Sequence, residues 1–227
     1  MNVDFSNNII FEDKDVLVCK KEAGMPVQTQ KSTQQDMISL LMNYRKMKKE
    51  DTYIGLIHRL DQPVEGIMVF AKSKKATEDL SKQIREHMMD KQYYAVLNGI
   101  LEKKEGTLED YLLKDGKTNL SKVVSKQTKD AKEARLFYEK IAEKENKTLV
   151  KIKLETGRHH QIRVQFSHMG YPLFGDSKYG AEKVEVYMPL ALCSYKIGFV
   201  HPITKKSMEF ELKPEGKGFA EFLEYFS

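Results

Sequence analysis

The chain has 227 residues, 41% hydrophobic and 31% charged, enough for the buried core of one large domain or two small ones. No apolar run reaches the ~20 residues of a membrane span, and two widely separated cysteines, Cys19 and Cys193, exclude a disulfide scaffold and a multi-cysteine zinc site and fit a reducing cytosol. The formal net charge is only +5, yet from Lys114 to Lys153 twelve basic residues stand against six acidic ones, the pattern of a polyanion-binding face or of a lysine-rich solvated surface.

The opening residues Met1 to Ser6 lack a basic stretch followed by an apolar core, which argues against a secretory leader. Ile9 to Phe11 and Val16 to Cys19, split by Asp13-Lys14-Asp15, predict two short strands around a turn. Asp36 to Lys48 carries apolar Met37, Leu40, Leu41 and Tyr44 at the spacing of an amphipathic helix. Tyr53 to Ile57 and Gly66 to Ala71 predict strands, with His58-Arg59-Leu60-Asp61 in the polar turn between them. Lys74 to Met89 predicts a second helix that buries Ala76, Leu80 and Ile84. Strands follow at Tyr93 to Leu97 and Leu149 to Leu154, while Ala131 to Ala142 stays open between helix and strand, its composition favouring helix.

Gln161 to Met169 predicts a helix ended by Gly170. After turn-rich Tyr171 to Gly180, strands are expected within Leu190 to Val200 and Ser207 to Leu212. A last helix follows, with Phe219, Phe222, Leu223 and Phe226 on one stripe. There are no repeats and no low-complexity segment. The residues describe a mixed α+β domain.

Two clusters carry chemistry. His58-Arg59-Leu60-Asp61 puts a carboxylate and a guanidinium two residues apart in a tight turn. Asp61 there is either a reactive group kept ionised by a cation or a turn cap paired with Arg59. In Gly157-Arg158-His159-His160-Gln161-Ile162-Arg163, a helix starting near His160 directs its N-terminal amides, Arg158 and His159 toward one anion-attracting point. Arg163, at a helical spacing that aims it inward, needs a carboxylate, and Asp61 is a candidate partner. Adjacent histidines project in different directions and no acid or cysteine shares their spacing, so a zinc site from His159, His160 and His168 is disfavoured. P-loop, nucleophile-elbow and dinucleotide signatures are absent, and both cysteines lie in strand patterns where thiols are inert.

Taken in order, these segments resemble the RluA-type family of RNA pseudouridine synthases. Ile10 to Asp13 and Lys21-Glu22-Ala23-Gly24 resemble its opening, and His58-Arg59-Leu60-Asp61 with Gly66 and Ala71-Lys72 its catalytic motif. Lys91-Gln92-Tyr93-Tyr94-Ala95 resembles its tyrosine strand. Leu154 to Val164 with His168 to Asp176 resembles its third motif, and Phe199-Val200-His201-Pro202 its closing strand. Three positions depart from the family pattern: Val64-Glu65 replaces Thr-Ser, Glu22 replaces Pro, and His159 replaces Thr. These changes bear on substrate choice more than on activity.

The resemblance implies a largely antiparallel sheet with flanking helices and a central cleft, residues 1–227 forming one catalytic domain, and a strand over Ala131 to Ala142. It implies isomerisation of a specific uridine in rRNA or tRNA, without cofactor or metal, after the base is flipped out of its stack. Asp61 is then the essential carboxylate, as nucleophile or base, with Arg163 holding it ionised. Tyr93 stacks on the uracil, and its phenol, with an ordinary pKa of about 10, offers a base for the C5 proton. Arg59 fills the gap left by the flipped base, Leu60 and Ile162 line the pocket, and Gln161 and His58 support backbone. Arg158, His159, Lys122 and Lys126 face the RNA, the lysines contacting phosphates. The expected partner is structured RNA and not a membrane, and the expected form is a cytoplasmic monomer. Two other readings are a catalytically inactive RNA-binding or chaperone module, motivated by Val64-Glu65, and a small-molecule glycosidase, for which only Glu65 offers a second carboxylate near Asp61.

Overall fold

The computed structural model describes residues 5–31, 33–180 and 188–226. Residues 1–4, on which the leader reading partly rests, lie outside them. In chain order the elements are β1 (Ile9–Glu12), β2 (Val16–Lys21), α1 (Met37–Met47), β3 (Gly55–Leu56), β4 (Glu65–Ala71), α2 (Lys74–Arg85), β5 (Asp90–Asn98), β6 (Glu105–Asp115), β7 (Leu120–Val124), β8 (Lys132–Lys144), β9 (Lys147–Leu154), α3 (Gln161–His168), β10 (Leu192–Val200) and β11 (Ser207–Glu211). A run of 3-10 turns closes the chain at Lys217–Phe226. Contacts gather in two compact units. One holds Met1–Asp90 with Tyr195–Leu212, the other Lys91–Ser194 with Lys213–Ser227.

In the first unit β4 is buried along its whole length because all seven residues from Glu65 to Ala71 are covered. β2 pairs with it antiparallel from Val16↔Ala71 to Lys21↔Gly66, β1 pairs with β2, and β3 lies on β4. β10 neighbours β4 and carries β11 antiparallel. Val16, Val18, Ile67, Val69, Ile197 and Phe199 meet Ala76 and Leu80 of α2, so the alternating apolar positions of the strands and one stripe of the helix close a single core. Asp36 starts α1 with a reciprocal box: its carboxylate accepts from the Ser39 N–H, and the Ser39 hydroxyl accepts from the Asp36 N–H. Ser73 caps α2 by accepting from the Ala76 N–H.

The second unit is an antiparallel sheet in the order β5-β9-β8-β6-β7. Strand β8 settles the segment that composition left open. Ala134, Leu136 and Tyr138 are buried at every second position, alternating with exposed Glu133, Arg135 and Glu139 and half-buried Phe137, a period of two that helical packing does not give. Helix α3 sits on this sheet. Val164 packs with Leu112 and Ala134, Phe166 meets the Tyr138 ring at 5.5 Å, and the Gln165 amide donates to Asp110 at 2.8 Å. Its C-terminus is a Schellman end, with Gly170 at φ +88, Gly170 N–H on Ser167 O and Tyr171 N–H on Phe166 O.

Four expectations change. α2 stops at Arg85 because His87 adopts a left-handed backbone (φ +56), freeing Asp90 to open β5. β3 is only Gly55–Leu56, where α2 comes so close that a Cβ on Gly55 would meet the Thr77 hydroxyl at 1.9 Å. Strands β6 and β7 were not anticipated, since charges interrupt both faces of their sequence. The last element forms 3-10 turns rather than an α-helix. It buries Phe219, Phe222 and Phe226 and leaves Leu223 exposed.

Candidate active site

Asp61 stands on the loop that enters β4. The loop tightens through Val64 N–H on Asp61 O (3.0 Å), and it is tied back to the strand-to-α1 connection by Gly24 N–H on Gln62 O (2.8 Å) and Gln62 Nε2 on Gly24 O (3.0 Å). Beneath it lies Lys21, the last residue of β2 and fully buried. Its ammonium donates to three backbone carbonyls, Glu22 at 3.0 Å, Gln62 at 3.0 Å and Val64 at 2.6 Å, so two carbonyls of the turn that follows Asp61 are pinned by one cation. Burial pulls the Lys21 pKa down to about 8 against the opposing pull of the Asp61 and Glu65 carboxylates. Glu65, one of the departures from the family pattern, is therefore a buried counter-charge to Lys21 as well as the first residue of β4.

The neighbours of Asp61 divide clearly. His58 supports backbone as expected: its Nε2 accepts from the Val69 N–H at 3.2 Å, which places its proton on Nδ1. Leu60 is buried. Arg59 is exposed and makes no hydrogen bond or ion pair among the described residues, so an Asp61–Arg59 ion pair, the alternative reading of the turn, is not formed. Asp61 itself is half-buried.

In the second unit Tyr93 is buried in β5, paired across to Ile152 of β9. Arg163 on α3 is 3% exposed and meets Asp176, a carboxylate at the end of the third motif whose role spacing does not reveal. Nε and Nη2 each donate to it at 2.8 Å, a two-point pair. Burial alone would raise the Asp176 carboxyl. The Arg163 hydrogen bonds and charge, with N–H groups of Lys178 and Tyr179, outweigh it and hold the carboxyl below its ordinary range. The Arg163 guanidinium also lies over the Tyr179 ring at 5.2 Å. Ile162 beside it is buried.

The start of α3 is organised by side chains rather than by the usual cap. His160 adopts a left-handed backbone (φ +53) without capping. Gln161 turns back instead, its Oε1 accepting from Arg158 N–H (3.0 Å) and the Thr156 hydroxyl (2.8 Å) while Nε2 donates to Arg135 O (3.2 Å). His159 and His160 stack at 3.7 Å, with their Nδ1 atoms engaged by Ser121 Oγ (2.9 Å) and Tyr179 OH (2.8 Å). The two rings therefore stack side by side instead of projecting in different directions, which corrects the expectation for adjacent histidines. Lys122 is exposed on β7, and Lys126, also exposed, reaches over the Tyr111 ring at 5.7 Å. Both cysteines are buried, and burial pushes the Cys19 thiol well above its ordinary value. No helix among the described residues is long and apolar enough to cross a membrane.

A mixed, mostly antiparallel sheet with these motifs in this order defines a class. Residues 15–168 match the family described as RNA pseudouridylate synthase, and the chain belongs to the RluA-type family of RNA pseudouridine synthases. Among its relatives is the uncharacterized RNA pseudouridine synthase YlyB of Bacillus subtilis (strain 168), 34% identical over 221 residues, covering 96% of this chain and 72% of the relative. Another is ribosomal large subunit pseudouridine synthase C of Buchnera aphidicola subsp. Baizongia pistaciae, 31% identical over 215 residues, covering 92% of this chain and 67% of the relative. The fold is similar to that of human RNA pseudouridylate synthase domain containing 4, with a TM-score of 0.77 at 23% identity over 93% of this chain and 90% of that one. The chain is a pseudouridine synthase family enzyme.

Proposed function

We propose that this enzyme converts a specific uridine of structured RNA, with large-subunit ribosomal RNA the first substrate class and tRNA the second, to pseudouridine in the cytoplasm, acting as a monomer and as one catalytic domain. Relatives named for the ribosomal large subunit support the RNA class. The family match runs from 15 to 168, through residues of both compact units, and supports a single catalytic whole. The reaction moves the uracil from an N1–C1′ to a C5–C1′ bond and is an isomerisation, so no cofactor or metal is called for.

In this reading Asp61 is the essential carboxylate, either adding to C1′ or taking a ribose proton. The observation that carries the reading is the clamp on its turn, because a carboxylate whose following carbonyls are fixed by a buried ammonium is held in one place before substrate arrives. Tyr93 stacks on the flipped uracil and Arg163 supplies positive charge to the site, with Asp176 fixing its orientation. Arg59, exposed and without a hydrogen bond or ion pair among the described residues, is suited to the space the base leaves in the RNA. Leu60 and Ile162 wall the pocket. Arg158, His159, Lys122 and Lys126 meet the backbone.

Tritium release from C5-tritiated transcripts tests this directly. Wild type is expected to release tritium from a ribosomal RNA transcript, and Asp61→Asn to remain folded and release none. Release by Asp61→Asn at the wild-type rate would sink the mechanism. Silence from both proteins with RNA binding intact would favour the inactive binding module.

A further inference from the structure

Lys91 is the second residue of the strand that carries Tyr93, and alternation puts both side chains on one face of β5, about 6.6 Å apart along the strand. Its ammonium is partly buried and makes no hydrogen bond or ion pair among the described residues. An amine withdrawn from water without a partner is costly, so proteins keep such arrangements where a ligand completes them. The group beside it is not an acid. Lys91 Nζ lies 3.3 Å from where a Cβ on Gly157 would stand, and the next residue is Arg158.

Arg158 uses only Nε, which donates to Glu133 O at 2.7 Å, so its two terminal nitrogens make no protein hydrogen bond among the described residues. Glu155, the acid nearest in sequence, gives its carboxylate to Arg135 at 3.2 Å. Burial first, and the Arg158 charge second, hold the Lys91 ammonium below the ordinary lysine value. Two cations that raise each other's cost, with uncommitted N–H donors and a bare, exposed glycine between them, lack one thing, an anion. A side chain at 157 would occupy the space that anion needs.

We propose that Lys91, Arg158 and the bare backbone of Gly157 form a seat for one phosphodiester of the RNA, next to the nucleotide whose base stacks on Tyr93. The assignment rests on the isomerase reading for the position of that base, and on the unpaired cations alone for the anion. Its role is to fix the backbone of the flipped nucleotide, so that the base arrives in register with β5.

The test compares wild type with Lys91→Met and Lys91→Arg, using transcribed large-subunit ribosomal RNA for tritium release and for binding across a salt series, and thermal unfolding for integrity. Lys91→Met is expected to raise KM about tenfold or more and to lower the salt slope of binding by about one. Its melting temperature should be no lower than wild type, since it loses an unpaired buried charge. Lys91→Arg should recover the slope. A folded Lys91→Met with wild-type KM and slope would overturn the seat, as would a loss confined to kcat. Inorganic phosphate that raises the wild-type melting temperature, with RNA binding blind to Lys91, would mark a free-anion site and equally overturn the proposal. If wild type releases no tritium from any RNA, the isomerase reading fails on its own, and the salt slope still decides the seat.

Discussion

Arg163 and Asp176 are both removed from water, with side chains 3% and 0% exposed, and each offsets the buried charge of the other. Arg163→Met should therefore do two separable things. It leaves Asp176 buried with only the Lys178 and Tyr179 N–H groups for its charge, which should cost about 3–5 kcal/mol of stability in a urea melt. It also removes the cation assigned to catalysis, so turnover should fall further than the unfolded fraction explains. The sign with pH follows from the depressed Asp176 carboxyl. Its contribution is complete above the unfolded value of about 3.9 and is lost as pH falls through the lower folded value. In Arg163→Met the depression is gone, so acid should destabilise the variant less steeply than wild type. A variant as stable as wild type at pH 7 would show that the pair contributes nothing net.

Between elements, the short connections do the positioning. Gly175 precedes Asp176 with φ +77, and a Cβ there would lie 2.3 Å from Pro189 O, a backbone atom that cannot swing aside. Gly175→Ala should cost more than about 1 kcal/mol, since both the left-handed backbone and the close approach oppose it. Because the strain falls next to Asp176, activity should drop in the surviving folded protein. A melting temperature equal to wild type would refute the argument.

How far such elements were readable follows from what each one shows in sequence. α1, β2, β4 and α3 carry unbroken apolar periodicity or strong end signals, and all were expected within a few residues. β6 and β7 form an antiparallel ladder whose outer positions are Glu, Asp and Lys, and their pairing registers only in three dimensions. The same holds at the site. Asp61, Tyr93 and Arg163 stand in recognisable motifs. The Lys21 clamp and the Asp176 partner depend on hydrogen bonds between residues 41, 43 and 13 positions apart, which spacing along the chain does not reveal.

On the scale of the whole molecule, the small net charge of +5 conceals a basic stretch from Lys114 to Lys153 that lies entirely within the second compact unit. Lys122, Lys126 and Lys129 there are exposed, on β7 and the turn after it. Such lysines contribute little to folding, which makes them a clean probe of the proposed contact with RNA phosphates. Replacing the three together with glutamine should leave the melting temperature within experimental error of wild type. RNA binding should weaken alike for cognate and unrelated transcripts, because phosphate recognition carries no sequence. The slope of log affinity against log salt should flatten by about 0.7 to 0.9 for each phosphate that is no longer neutralised. A fall in affinity for one transcript alone would instead make these lysines readers of sequence or shape. No change at any salt would make the basic stretch a solvated surface, leaving the motif residues and the Lys91–Arg158 seat to hold the RNA.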